Sequence, residues 1–143
     1  MKIVRIAVIV IAVYVVLGLA VDGAIGYFQP QSGKTAVRRT FDEAGNAQET
    51  VLSLLADDGT LWVESGHWFR GWYHRLVANP DVELVRDGEA ETYRAVPVDT
   101  PEAVERVTKL MGKGESAGYW VGRVMLLFAP IKPVRLDPRV EEA

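Results

Sequence analysis

From Ile6 to Val21 the chain carries no charged residue, and Asp22 is the only one added before Phe28. A helix needs roughly 20 mostly apolar residues to cross the hydrocarbon of a bilayer. The run reaches that length from Ile3 to Val21 if Arg5 carries its guanidinium out to the headgroups. Asp22 then falls at the opposite interface, Tyr27 and Phe28 form an aromatic anchor there, and Pro30 stops the helix. The rival is a cleavable leader with Gly18-Leu19-Ala20 as the cleavage site. The run is longer than the ~7–15-residue apolar region of such leaders. A core helix of a soluble protein is disfavoured because the run has no polar face. The expectation is a retained single-pass anchor over residues 1–29 and one soluble domain over residues 30–143. Lys2 and Arg5 favour a cytoplasmic N-terminus, whereas Lys34, Arg38 and Arg39 beyond the helix pull the other way, so the side of the domain stays open.

With 143 residues in all, the chain has room for one domain besides the anchor. The formal net charge is −3, and the anchor is itself slightly basic, so the domain is acidic. An acidic domain without a clustered basic surface argues against nucleic acid as a partner. The sequence holds no cysteine, which excludes disulfides, thiolate metal sites and cysteine nucleophiles.

Within the domain, Thr35 to Phe41 reads as a strand, followed by the polar turn Asp42-Glu-Ala-Gly-Asn46. Glu49 to Leu55 is the next strand, and Asp57-Asp-Gly59 turns tightly into Thr60 to Glu64. Trp72 to Ala78 reads as two turns of helix, closed by Asn79 in a left-handed cap and by Pro80. Val82 to Val85 and Glu91 to Val98 form a hairpin around Asp87-Gly88. Thr100, Pro101 and Glu102 open a second helix, with Ala103, Val104, Val107, Leu110 and Met111 on one face and Gly112 as its stop. A Gly-rich link containing Tyr119 and Trp120 then leads to a last apolar strand, Val124 to Phe128, and to an extended piece near Val134 to Leu136. This is a mainly β domain with two helices, in the form of a small antiparallel barrel with helices over its open end. A flat α+β sheet is the alternative.

The stretch Trp72-Tyr-His-Arg-Leu-Val-Ala-Asn-Pro80, preceded by Glu49-Thr-Val-Leu52 and Leu61-Trp-Val-Glu-Ser65, resembles the deazaflavin-dependent nitroreductase or quinone reductase family. The matching positions are Trp72, Tyr73, His74, Leu76, Ala78, Asn79 and Pro80. The resemblance runs from about Ala36 to Pro138 and implies a split antiparallel β-barrel of the flavin-binding kind. It also implies a deazaflavin or FMN as cofactor and hydride transfer to a quinone or nitroaromatic acceptor. Trp72 and Tyr73 would wall the cofactor pocket, and backbone near Ser65 and Gly66 would approach the ring. The family carries a basic Gly-Arg-Lys-Ser-Gly loop in its first hairpin for the anionic cofactor tail. Here that place is held by Phe41-Asp-Glu-Ala-Gly45, and the family's helix Asn is Arg75. Each lost charge-assisted contact is worth ~1.5–3 kcal/mol, so weak binding of the tailed deazaflavin is expected unless an arginine of the first strand compensates.

Arg38 and Arg39 are adjacent in that strand, so only one of them faces inward. An inward Arg38 would need an anion and would be a cofactor contact; the simpler expectation is a surface arginine on an edge strand. Trp62, Trp68, Phe69, Trp72 and Tyr73 are crowded together. Core packing suits Trp62 and Trp72, and bilayer contact suits Trp68 and Phe69, which lie between His67 and Arg70. His67 and His74 have no carboxylate cluster that would complete a metal site, and no Gly-x-Ser-x-Gly elbow surrounds Ser65. No catalytic acid, base or nucleophile is legible, as is usual where a cofactor does the bond-making. The leading expectation is a membrane-tethered oxidoreductase with membrane lipid and a lipophilic small molecule as partners. The alternatives are a barrel that holds an apolar ligand without catalysis, and an accessory subunit of a membrane complex.

Overall fold

The apolar run is helical throughout in the computed structural model, which describes residues 1–28, 35–69, 71–112 and 116–139. Helix α1 spans Lys2–Phe28, and its Lys2–Ile25 portion is long and apolar enough to cross a membrane. The helix stop at Pro30, the domain boundary, Lys34, Arg70 and Gly114 lie outside the described residues.

Seven strands form one antiparallel sheet in the order β2-β1-β5-β6-β7-β4-β3. They are β1 (Thr35–Phe41), β2 (Ala47–Ser53), β3 (Leu55–Asp57), β4 (Thr60–Ser65), β5 (Asp81–Arg86), β6 (Glu89–Pro97) and β7 (Lys132–Pro138). Leu54 alone separates β2 from β3, so the expected Glu49–Leu55 strand is two. This almost continuous segment supplies both edges of the sheet and rolls it into a half-barrel. The tight turns are those the sequence marks. Asp58-Gly59 and Asp87-Gly88 all have positive φ, as two-residue hairpin loops that follow the strand twist require.

Helix α2 (Gly71–Ala78) follows β4 and places Trp72 and Leu76, one turn apart, in the barrel core with Val63, Val82, Leu84, Tyr93, Ala95, Val134 and Leu136. Helix α3 (Pro101–Leu110) is capped by Thr100, whose hydroxyl accepts from the Ala103 N–H at 3.2 Å. Its Ala103 and Val107 cover Trp62 in a second, smaller core.

Three expectations need correction. The link around Tyr119 and the strand from Val124 to Phe128 are instead a helix, α4 (Ala117–Met125), and a turn, so the domain has a third helix. Ser116 caps α4 by accepting from the Tyr119 N–H. Asn79 is not left-handed; its Oδ1 accepts from the Asp81 N–H at 3.2 Å and turns the chain into β5. Strand β1 is not an edge, because β5 pairs with its far side. That pairing decides the arginines. Arg39 points outward and pairs with its cross-strand neighbours Glu49 (2.9 Å) and Glu83 (2.7 Å). Arg38 points inward and is fully buried, with 0% exposure.

Candidate functional site

Among the described residues, two of the places that break the usual rules of burial hold residues singled out in the sequence. The first is the inner end of the barrel beneath α2. The Arg38 guanidinium lies 4.2 Å from the Trp72 ring centroid, in cation–π contact, and its three nitrogens have no hydrogen-bond partner. Burial, helped by the neighbouring Arg75 charge, lowers its pKa to about 9, so it remains a cation at neutral pH. Arg75 reaches the same region from α2 and donates from Nε to the buried Thr40 hydroxyl at 3.1 Å. Two guanidinium groups thus gather at one end of an apolar core, where an anion would be strongly favoured.

The second place is the far end of β4. Ser65 is buried and its Oγ has no partner. The next residue, Gly66, lines a cavity of about 160 Å³ together with Glu64, His67, Met111, Gly118, Tyr119, Gly122, Arg123, Leu126 and Ile131. One wall is β4 and the loop after it; the other is α4. Gly118 and Gly122 lie one turn apart on α4, and their missing side chains leave the cavity open. A larger depression beside α3 is lined by Asp57, Glu102, Glu105, Arg106, Lys109 and Leu110, where Arg106 pairs with Asp57 and Lys109 with Glu105, and it offers no apolar enclosure.

The cavity adjoins the joint between the domain and α1. Asp22 is buried, and its carboxylate accepts from the backbone N–H groups of Trp68 (3.1 Å) and Phe69 (2.9 Å). His67 Nδ1 lies 3.0 Å from the same carboxylate. The side chains of Trp68 and Phe69 remain exposed. Asp22→Ala removes the acceptor of two loop amides, and an unmade bond of a buried group costs about 1–3 kcal/mol. Hydrogen exchange should therefore show protection lost at Trp68 and Phe69 and kept at Val63 and Val134. Unchanged protection at the loop would mean that Asp22 does not hold it.

The structure divides the residues singled out in the sequence. Arg38 and Trp72 meet inside the core, with Tyr73 edge-on to Trp72 at 6.0 Å and packed against the same core. Ser65 and Gly66 belong to the other end, and of the five only Gly66 lines the cavity. Tyr119, Arg123 and Leu126 were not legible, because they become neighbours of β4 only once α4 is a helix. Asp42, in the place of the family's basic loop, is committed to its own turn. It accepts from the Ala44 and Asn46 N–H groups and from the Asn46 side chain, which hold its carboxyl below the usual range.

No family model matches the chain, and no curated protein matches it. Solved structures do. An F420-H2 dependent reductase (FDR-A) superposes with a TM-score of 0.55 at 16% identity, covering 73% of this chain and 95% of that one. The conserved hypothetical protein Rv2991 from Mycobacterium tuberculosis gives 0.53 at 20% identity over 76% of this chain and 75% of that one. A putative pyridoxamine 5'-phosphate oxidase from Listeria innocua gives 0.53 at 14% identity over 84% and 94%. The likeness is one of fold, and the fold is the split barrel implied by the nitroreductase-like segment.

Proposed function

We propose that this chain is a membrane-tethered oxidoreductase of the split-barrel class, passing hydride from a reduced deazaflavin or flavin to a quinone or nitroaromatic acceptor drawn from the bilayer. The observation that carries the reading is the cavity between β4 and α4. Met111, Tyr119, Leu126 and Ile131 make much of it apolar, while Glu64, His67 and Arg123 add ionisable groups at its wall. Such a mixture suits a planar lipophilic molecule with a polar edge. The cavity lies beside the Asp22 joint, where a molecule leaving the bilayer along α1 would arrive. The fold likeness to an F420-H2 dependent reductase supports the class.

The groups at the cavity wall fit a flavin-type ring. The backbone of Gly66 at the cavity wall would meet the polar edge of a ring, whereas the buried Ser65 side chain is not part of that wall. Asp42 and Glu43 would repel a phosphate and carboxylate tail where the family attracts one. The ring, when bound, supplies the hydride. The chain's own residues do the rest. His67, oriented by Asp22, gives the proton that a reduced carbonyl oxygen takes up. Arg123 offers positive charge to that oxygen, and α4 keeps water from the cavity.

Gly122→Leu tests this. A Cβ at Gly122 meets nothing within 4 Å, and replacing a helical glycine commonly gains about 0.5–1 kcal/mol. The variant should fold at least as well as the native chain and fill the cavity. In nanodiscs with reduced FMN or deazaflavin and a short-chain naphthoquinone, the native chain should oxidise the cofactor and Gly122→Leu should not. Equal rates would place the acceptor elsewhere.

A second reading, a barrel that binds an apolar ligand without catalysis, is favoured by the self-contained Asp42 turn. It predicts no oxidation by either protein and a lipid-soluble molecule copurifying with the native chain alone.

A further inference from the structure

Helix α4 is amphipathic in an unusual direction. Trp120, Val121, Val124 and Met125 are exposed, as is Phe128 in the turn that follows. Among the described residues this outward face carries no charge, since the one charged side chain of the helix, Arg123, lines the cavity, donates to the Ala129 carbonyl and lies beside the Phe128 ring. A soluble domain rarely leaves so continuous an apolar surface open.

The neighbours of α4 say what covers it. The Tyr14 hydroxyl donates to the Val124 carbonyl. Gly18 is buried against Leu127, and a Cβ at Gly18 would come within 2.5 Å of Leu127 Cγ. Tyr14 and Gly18 lie about 12 Å and 6 Å along α1 from Asp22, at the helical rise of 1.5 Å per residue. Both fall inside the uncharged run from Ile6 to Val21, and any window of roughly 20 residues within Lys2–Ile25 contains both. A bilayer that covers α1 therefore reaches the end of α4 as well.

The way α4 ends agrees with a dry setting. In hydrocarbon every backbone polar group needs a partner inside the protein. The carbonyls of Gly122, Arg123, Val124 and Leu126 accept from Leu126, Phe128, Leu127 and Ala129 N–H groups, and Ala129 is served by Arg123. To do this, Leu127 and Phe128 both take left-handed conformations, with φ of 52° and 53°. Glycine or asparagine would relieve that strain but would give up the apolar side chains.

We infer that α4 and the turn after it form a second membrane-inserted element, seated in the acyl region of the bilayer against α1. The domain is thereby held on the membrane at two points and in one orientation, with the β4–α4 cavity at the lipid boundary. This rests on α1 being the bilayer span, so the test reads the two separately.

The chain has no cysteine, so single cysteines can be labelled cleanly. The full chain is reconstituted in nanodiscs with an environment-sensitive fluorophore at Val16→Cys on α1, Val121→Cys or Met125→Cys on α4, or Glu43→Cys and Glu105→Cys on exposed polar positions. Quenching by doxyl-labelled lipid and by aqueous iodide is then measured. The expected result is lipid quenching and loss of iodide quenching at 16, 121 and 125, with the reverse at 43 and 105. Lipid quenching at 16 with iodide quenching at 121 and 125 overturns the inference and leaves the anchor standing. Shielding of 121 and 125 from both quenchers also overturns it, because another protein surface then covers α4. Iodide quenching at 16 overturns the anchor and this inference together.

Discussion

Trp72→Ala should destabilise the protein by ~3–5 kcal/mol, the range for truncating a large buried aromatic. Trp72 is 9% exposed and shares the core with Leu76, Val63, Val82 and Leu136. Its loss opens a cavity beneath α2 and also takes away the only group that stabilises the Arg38 cation among the described residues. A desolvated cation–π contact is worth about 2 kcal/mol, so the cost should lie in the upper part of the range. Chemical denaturation of the full chain in detergent reads it directly. An unchanged midpoint would mean that the indole is not part of the core.

Arg38→Met should act in the opposite sense and stabilise the fold by about 1–4 kcal/mol, as replacement of buried charge by apolar volume often does. The side chain is fully buried with three unbonded nitrogens, and methionine can follow much the same path between β1 and α2. The gain should grow in a Trp72→Ala background, where the native arginine has lost its ring, and a double-mutant cycle measures that coupling. A loss of stability in Arg38→Met would show that the guanidinium has a partner in the folded protein.

Much of the fold was legible because its signals are local. The uncharged run gives α1, Asp58-Gly59 and Asp87-Gly88 give two hairpins, and Thr100-Pro101-Glu102 opens α3. Helix α4 was hidden because its glycines imitate a linker, and because it stops at Leu127 and Phe128 instead of at a glycine. The inward turn of Arg38 depends on β5 pairing with β1, more than forty positions on, which no window of sequence contains. For the same reason the contact of Asp22 with the Trp68 and Phe69 amides was out of reach. Gly66 was legible from the segment resembling the nitroreductases. The rest of the cavity wall comes from α4, and went unread with it.

Strand β7 follows the other six in sequence, yet it lies between β6 and β4 in the sheet. Before residues 132–138 have been translated, the chain can form a four-strand ribbon, β2-β1-β5-β6, and a two-strand ribbon, β4-β3, connected through Leu54 but with no strand pairing between them. Helix α1 leaves the ribosome before any of these strands. For the whole interval the inner edges of β6 and β4 are open, and open edges pair readily with other chains. A pause in synthesis before Lys132 lengthens that exposure. A message cut short there should yield aggregates instead of a folded domain.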